Sequence, residues 1–184
     1  MYTFKNKYSA IACVNSLGYI GKDNNLIYRI NGDLKNFSTL TTGNVVIMGR
    51  KTFESLPNSL PLKNRINIVI TSKEDYHVNT ETPELFENTF VCSSLEEADQ
   101  LCYAYFQDKE LFIIGGGIVY KTAFNLGIVD KVIMTLVNDD TEGDVKFYDI
   151  QNDDNYRIIF KTTSLRDQVN DIYYYYVVYK RNNG

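Results

Sequence analysis

The chain has 184 residues, a length that fits a single domain over residues 1–184 with a full hydrophobic core and argues against a bifunctional fusion. Apolar residues make up 44% and charged residues 23%, so we expect a folded globular protein rather than a disordered or fibrous one. The 19 basic and 23 acidic residues give a net charge of −4, the wrong sign for binding nucleic acid. No apolar stretch is long enough to span a membrane and the first residues are polar, so we expect a cytoplasmic protein without membrane contact.

Short apolar runs alternate with helical patterns, which is typical of a sheet flanked by helices. We predict strands over residues 9–14, 45–48, 66–70, 89–92, 111–114 and 129–137. We predict helices over residues 33–40, 50–56, 94–106 and 118–126, the third of them opened by a capping box between Ser94 and Glu97. Residues 16–32 and 74–87 are predicted loops, the first of functional length, and strands over 156–162 and 172–179 form an antiparallel hairpin. The prediction is an α/β fold with a mostly parallel sheet and an antiparallel C-terminal edge.

Cysteine and histidine usage narrows the chemistry. Cys13, Cys92 and Cys102 are odd in number and lack a Cys-x-x-Cys spacing, as free buried thiols do, so we expect neither disulfides nor a metal site. His77 is the only histidine, and its polar neighbours indicate a loop. Catalysis by a Ser-His-Asp or Cys-His arrangement is therefore not expected.

Three predicted strands end in residues suited to an anion. Glycine, two cations and a hydroxyl follow the strand over 45–48, Thr71, Ser72 and Lys73 follow the next, and three glycines follow the strand over 111–114. In open α/β sheets, ligands bind beyond the carboxyl ends of parallel strands, where backbone N–H groups can meet a phosphate. Each signal alone is better explained by a tight connection or a solvated surface. Together they predict a dinucleotide, although neither the Rossmann nor the P-loop pattern occurs.

Asp33 has two interpretations. It opens a predicted helix, and Phe37 follows four residues later on the same side, so a carboxylate and an aromatic ring could line one wall of a cleft. An acidic residue in the first turn also serves the helix dipole, which is the commoner reason for its presence. The spacing leaves both open.

In order along the chain, these segments resemble the dihydrofolate reductase family over residues 9–180. The match is carried by the following motifs: Ile11-Ala12 with Tyr19-Ile20-Gly21, Asp33-Leu34 with Phe37, the run over residues 46–56, Leu60-Pro61 with Arg65 and residues 67–72, Ile114-Gly115-Gly116-Gly117 with Val119 and Tyr120, Thr135, and Glu142-Gly143-Asp144. The resemblance also implies an unusual cis Gly-Gly peptide bond in the glycine motif that follows Ile114. The series in order is specific, although any one motif is weak.

The resemblance implies NADPH-dependent reduction of 7,8-dihydrofolate to 5,6,7,8-tetrahydrofolate, in support of one-carbon metabolism and thymidylate synthesis. Asp33, as the only buried carboxylate, would bind the pterin and assist its protonation, Thr135 would brace Asp33, and Tyr28 would stand where a residue holds an active-site water. The implied substrate-binding residues are Ile11 and Ile114 through their carbonyls, Arg65 for the glutamate carboxylate, and Leu26, Leu34, Phe37, Leu56, Leu60 and Tyr120. Partners would be dihydrofolate and antifolate inhibitors, and the resemblance implies a monomer.

On the cofactor side, the resemblance implies that residues from five segments hold NADPH. They are Ala12, Ile20, Gly21, Gly49, Arg50, Lys51, Thr52, Thr71, Ser72, Gly115, Gly116, Gly117, Ile118 and Val119. The loop from Gly21 to Leu26 would close over the nicotinamide, with Asp144 bonded to it.

Some positions depart from the family pattern. Tyr28 stands where the family usually has Trp, and Ile27 and Asn31 stand where prolines are common, which predicts a looser loop. Ile118 stands where some members carry Arg for the 2′-phosphate, so selection of NADPH over NADH would rest on Arg50 and Ser72.

Three alternatives remain open. The first is a reductase of the same fold that acts on another heterocycle, such as the reductase of riboflavin biosynthesis, although Asp33, Phe37 and Arg65 together favour a pterin with a glutamate tail. The second is a nucleotide-binding module without activity, favoured only by Tyr28. The third is a stacking platform for single-stranded nucleic acid over residues 173–176, for which edge-strand packing is the better account.

Overall fold

The computed structural model describes residues 2–78 and 86–182. Within that part of the chain the strands are β1 (Tyr8–Asn15), β2 (Tyr19–Lys22), β3 (Asn25–Leu26), β4 (Val45–Gly49), β5 (Ile66–Ile70), β6 (Thr89–Cys92), β7 (Leu111–Gly115), β8 (Val129–Val137), β9 (Val145–Lys146), β10 (Tyr156–Lys161), β11 (Leu165–Asp167) and β12 (Ile172–Arg181). The helices are α1 (Asn31–Thr41), α2 (Arg50–Glu54), α3 (Leu95–Tyr105) and α4 (Gly117–Asn125), with short 3-10 turns at Pro57–Ser59 and Ile150–Asn152. The predicted α/β class is confirmed.

The large sheet has the strand order β10-β12-β8-β1-β7-β4-β5-β6, with β11 paired to β12. The pairs from β8 through β6 are parallel, whereas β12 is antiparallel to β8 and to β10. This confirms a mostly parallel sheet with an antiparallel C-terminal hairpin. Strands β10 and β11 form this edge, because β12 lies between them and β8. Placing residues 173–176 on an edge strand was therefore wrong, and Tyr174 is buried with Tyr176 packed beside it.

The helices begin close to the predicted positions, with one difference that matters for the site. Helix α1 begins at Asn31, so Asp33 lies inside its first turn rather than at its opening. At α3 the hydroxyl of Ser94 accepts the N–H of Glu97 at 3.2 Å, as the capping box predicts. The carboxylate of Glu97 instead binds the N–H and hydroxyl of Ser93, at 2.6 and 2.8 Å.

The segment over residues 16–32, predicted as a loop without regular pairing, contains a small antiparallel sheet. Strand β2 pairs with β3 and with β9, which follows it by more than a hundred residues. Of the other predicted loop, over residues 74–87, residues 79–85 lie outside the described part, and His77 is exposed. The small sheet matters because it lies where the cofactor loop was predicted.

Two hydrophobic clusters cover the two faces of the large sheet. Val45 and Ile47 of β4 belong to one cluster, with residues of α3 and α4, whereas Val46 and Met48 belong to the other, with residues of α1 and α2. All four side chains are fully buried, and each contributes about 2 kcal/mol through burial. Strand β4 is thus apolar throughout because helices pack on both of its faces.

The three cysteines are free thiols, with Cys92 and Cys102 buried and Cys13 half-buried. Within the described residues, no helix has both the length and the apolar composition that crossing a membrane would require. Asp99 and Asp167 are buried carboxylates, whereas Asp33 is half-buried. Describing Asp33 as the only buried carboxylate was therefore wrong for the chain as a whole.

Candidate active site

The carboxyl ends of β4, β5 and β7 lie side by side. Gly49 pairs with Ile70 of β5, and Met48 pairs with Gly115 of β7, so the three predicted anion-binding strand ends meet at one edge of the sheet. A Cβ atom on Gly49 would lie 3.8 Å from the backbone nitrogen of Gly116. The three strand ends therefore lie next to one another at that edge of the sheet.

The glycine motif leaves no room for side chains. The peptide bond between Gly115 and Gly116 is cis, as the resemblance implied. A Cβ atom on Gly116 would lie 3.0 Å from Oγ1 of Thr52, and one on Gly117 would lie 2.6 Å from Cγ1 of Val145. We call the segments that follow β4, β5 and β7 (Gly49 to Thr52, Thr71 to Lys73 and Gly115 to Gly117) the glycine cradle. Helix α4 begins at Gly117, so its free N–H groups belong to this cradle. Glycine is required here because of close packing.

The two cations that follow β4, Arg50 and Lys51, differ in their contacts. Arg50 binds both oxygens of Glu54, at 2.9 and 2.7 Å, and its guanidinium lies 5.9 Å from the ring centroid of Tyr76. Lys51 and Ser72 are exposed, and Ile118 has 84% of its surface exposed in the first turn of α4. The charge of Arg50 is therefore partly neutralised within α2, a pairing that the sequence analysis missed although its i,i+4 spacing is a recognisable signal.

Asp33 and Thr135 come together across the site. The hydroxyl of Thr135, on buried strand β8, donates to Oδ1 of Asp33 at 2.5 Å. Burial raises the pKa of Asp33 above its ordinary value, and the hydrogen bond from Thr135 opposes that rise. Among the residues that the structure describes, no cation binds this carboxylate, so it keeps a proton at higher pH than an exposed aspartate does.

Tyr28 is placed away from that pair. Its hydroxyl donates to the carboxylate of Asp139 and accepts the side-chain N–H of Asn15 at 3.3 Å. The structure therefore does not bring the Tyr28 hydroxyl to Asp33. Sequence reasoning missed Asn15 and Asp139, because no spacing links partners that lie 13 and 111 positions from Tyr28.

Five of the predicted substrate residues share one apolar cluster on the α1 and α2 side of the sheet: Ile11, Phe37, Leu56, Leu60 and Ile114. The hydroxyl of Tyr120 donates to the carbonyl oxygen of Ile11 at 2.6 Å. Burial and the charge of Asp33 raise the pKa of Tyr120, so this hydroxyl stays protonated. Leu26 of β3 and Leu34 of α1 keep 53% and 41% of their surfaces exposed and are not members of this cluster.

Arg65 is held by hydroxyl groups rather than by an acid. Its Nε donates to Thr41 at 2.8 Å, and a terminal nitrogen donates to Ser38 at 3.0 Å and to Thr42 at 3.3 Å. Burial lowers the pKa of Arg65, and its guanidinium lies 5.7 Å from the ring centroid of Phe37. The side chain is thus fixed in place with its positive charge uncompensated by these partners.

The small sheet ties the cofactor loop to residues near β9. The N–H of Asp144 donates to the carbonyl of Gly21 at 3.0 Å, and its carboxylate accepts the N–H of Asp23 at 2.9 Å. Ile20 and Ala12 pack half-buried against the larger cluster. A Cβ atom on Gly143 would lie 2.4 Å from the carbonyl oxygen of Gly21, so this contact also requires glycine.

Comparison with known proteins decides the family. The sequence profile described as dihydrofolate reductase matches residues 7–181, nearly the whole chain. The chain belongs to the dihydrofolate reductase family.

Its relatives cover the chain almost completely. A dihydrofolate reductase of Bacillus subtilis is 33% identical over 176 residues, which is 96% of this chain and 95% of that protein. One of Staphylococcus haemolyticus is 30% identical over 95% of this chain and 96% of that protein. The solved dihydrofolate reductase of Enterococcus faecalis, complexed with NADP(H) and RAB-propyl, has a TM-score of 0.81 at 29% identity and covers 98% of this chain and 99% of that chain.

Family membership confirms the resemblance drawn from the ordered motifs and the assignment of the chain as an NADPH-dependent oxidoreductase. It also favours a dihydrofolate reductase over the riboflavin reductase and over a module without activity.

Proposed function

We propose that the chain reduces 7,8-dihydrofolate to 5,6,7,8-tetrahydrofolate, with Asp33 as the group that assists protonation. A hydride leaves NADPH for the ring carbon beside a pterin nitrogen, and a proton joins that nitrogen, so NADP⁺ and tetrahydrofolate are the products. The observation that carries the proposal is the half-buried Asp33 carboxyl, braced by Thr135 at 2.5 Å and bordered by an apolar cluster. The names of the relatives supply the substrate class.

Asp33 suits this role in two ways. As a carboxylate it accepts hydrogen bonds from the amino group and ring N–H of a pterin, which orients the ring. Because burial raises its pKa, it also holds a proton at a pH closer to neutral than an exposed aspartate does. Thr135 fixes which way the carboxyl group points.

The surroundings of Asp33 fit the rest of the substrate. Phe37, Leu56 and Leu60 supply apolar walls that orient a flat ring and exclude water. The carbonyl of Ile11 accepts one hydrogen bond from Tyr120 and retains a lone pair for the pterin edge. Arg65, preorganised by three hydroxyls, presents a planar guanidinium to a carboxylate of the glutamate tail.

The glycine cradle fits a dinucleotide. Gly116 packs so closely on Thr52 that a Cβ atom would lie 3.0 Å from its Oγ1, and the N–H groups at the start of α4 would bind a pyrophosphate. Lys51 and the exposed Ser72 would add a cation and a hydroxyl, and Gly21 to Leu26 would cover the nicotinamide. NADPH, when bound, supplies the hydride. We also propose a monomer in the cytoplasm, which stays a prediction.

The test is turnover with purified protein. We expect loss of NADPH absorbance on addition of dihydrofolate, with tetrahydrofolate as the chromatographic product. Asp33→Asn keeps the size and polarity of the side chain but removes the carboxylate and its proton, and should lower kcat/KM by about 100-fold or more. A chain that binds NADPH but does not consume it with dihydrofolate would contradict the proposed substrate.

A further inference from the structure

Tyr28 sits at a junction of three chain segments. Its ring is buried in a cluster with Ile30, Val137 and Tyr174. Its hydroxyl reaches Asp139, whose Oδ2 also accepts the N–H of Thr141 at 2.9 Å. The hydroxyl is therefore fixed between the loop that precedes α1 and the turn that follows β8.

Asn15 completes the junction. It is fully buried at the end of β1, and its side-chain N–H donates to Tyr28 at 3.3 Å and to the carbonyl of Thr141 at 2.6 Å. Its Oδ1 accepts the N–H groups of Leu17 and Tyr19, at 3.1 and 2.8 Å. One buried amide thus joins the start of β2, Tyr28 and the 139–141 turn. A buried amide with these bonds satisfied resists rearrangement.

The loop between β2 and α1 consequently has two attachments to the same partner segment. Asp144 holds its first part through Gly21 and Asp23, and Asp139 holds its last part through Tyr28. Leu26, with 53% of its surface exposed, lies between the two attachments along the chain. The attachments to Asp144 and to Asp139 therefore both constrain the position of Leu26.

We propose that Tyr28 is a positioning residue whose bond to Asp139 anchors the Leu26 end of the loop that would cover the nicotinamide, in place of any role on the reacting proton. The inference rests on the proposed function for its kinetic consequence but not for its structural one. Tyr28 acts through Leu26, because its hydroxyl is already engaged by Asp139 and Asn15. Loss of the anchor frees the segment between Asp23 and Tyr28 while Asp144 still holds Gly21.

Limited trypsin digestion tests the structural part without any turnover. Lys22 and Arg29 are exposed and flank the anchored segment, so cleavage after them reports its local opening. We expect Tyr28→Phe and Asp139→Ala each to speed these cuts about fivefold, and the double variant to be no faster than the faster single variant. Tyr103→Phe removes the same hydroxyl from an exposed position on α3 and should leave the cuts unchanged. Additive effects of the two substitutions on the cleavage rates would overturn the proposed anchor. Unchanged cleavage in Asp139→Ala would also overturn it, even if Tyr28→Phe failed to fold.

Kinetics separates positioning from chemistry. In Tyr28→Phe we expect kcat/KM for dihydrofolate to fall about fivefold and kcat to fall less, with an unchanged pH dependence of kcat/KM. A shifted pH profile, or equal losses in kcat and kcat/KM with unchanged trypsin cleavage, would overturn the proposal in favour of a role in proton transfer. Absence of any turnover in the unmodified protein would instead count against the proposed function, and the digestion result would stand by itself.

Discussion

Asp33 is subject to two opposing influences on its ionisation. Burial between α1 and β8 raises its pKa, whereas the hydrogen bond from Thr135 stabilises the charged form and lowers it. The balance leaves the pKa above the ordinary value of an aspartate. A protonated carboxyl therefore persists at higher pH, which is the condition that an acid assisting a reduction needs.

Thr135→Val tests this balance at the scale of one side chain. Valine keeps the shape but removes the hydroxyl that stabilises the Asp33 carboxylate, so the pKa of Asp33 should rise further. Activity that depends on protonated Asp33 should then persist to higher pH, seen as an alkaline shift of the falling limb of kcat/KM. At neutral pH, poorer orientation of the carboxyl should lower kcat/KM about fivefold. A limb that stays in place or moves to lower pH would show that Asp33 does not set it.

Individual partners were predictable to different degrees. Asp33 with Phe37 was visible in the spacing, but the choice between a helix-dipole role and a cleft role came only from the resemblance. The hydrogen bond of Thr135 to Asp33 joins residues 102 positions apart, and those of Tyr28 and Arg65 depend equally on the folded arrangement. Local patterns cannot specify such pairs, because tertiary packing creates them.

At the scale of elements, the cradle combines backbone donors with a modest cationic charge. Glu54 partly neutralises Arg50, and Ile118 presents an apolar, exposed side chain at the first turn of α4. Selection of NADPH over NADH depends on recognition of one extra phosphate, for which arginine is the best suited side chain. The first turn of α4 therefore has room for a stronger phosphate contact.

Ile118→Arg should strengthen that contact. We expect NADPH affinity to rise about fivefold, with NADH affinity nearly unchanged, because only NADPH carries the 2′-phosphate. Fluorescence titration at low and high salt provides the measurement, and the gain should shrink at high salt. Leu126→Arg adds the same charge at the far end of α4 and serves as the control. Equal gains for both cofactors, or for both variants, would contradict placement of the phosphate beside residue 118.

Elements with strong patterns were predicted well, and short ones were not. The apolar runs of β4 and β7 are buried on both faces and were visible as such. Strands β2 and β3 have four and two residues, too few for a period, and β2 pairs with distant β9 as well as with β3. For this reason β2 and β3 were not predicted within the loop over residues 16–32.

For the whole molecule, the buried carboxylate of Asp99 ties the N-terminal segment to the fold. It accepts hydrogen bonds from the Tyr8 hydroxyl at 2.7 Å and from the backbone N–H of Lys5 at 2.8 Å. Asn6 donates to it twice, through its backbone N–H at 3.2 Å and through its side-chain amide at 2.7 Å. Burial would raise the pKa of Asp99, but these hydrogen bonds outweigh it and hold the pKa below its ordinary value. The contact joins α3 to the segment that leads into β1.

Asp99→Asn should destabilise the protein by about 2–4 kcal/mol, because an amide cannot accept all of these bonds. A lowered pKa gives stability that is present above the unfolded-state value and is lost as the pH falls through the folded-state value. The difference in free energy of unfolding between wild type and variant, measured in urea, should therefore narrow below about pH 4. Asp75→Asn, at an exposed position, is the matched control. A gap of constant size down to pH 2 would contradict an ionised Asp99 in the native state.

The central claim is that Asp33 assists protonation during reduction of dihydrofolate, and single-turnover measurement of NADPH oxidation across pH tests it most directly. For wild type we predict a rate that falls as the pH rises past the raised pKa of Asp33. For Asp33→Asn we predict a rate lower by about 100-fold or more at neutral pH, without that falling limb, since only solvent can then supply the proton. Equal rates and equal pH profiles for the two proteins would contradict the account.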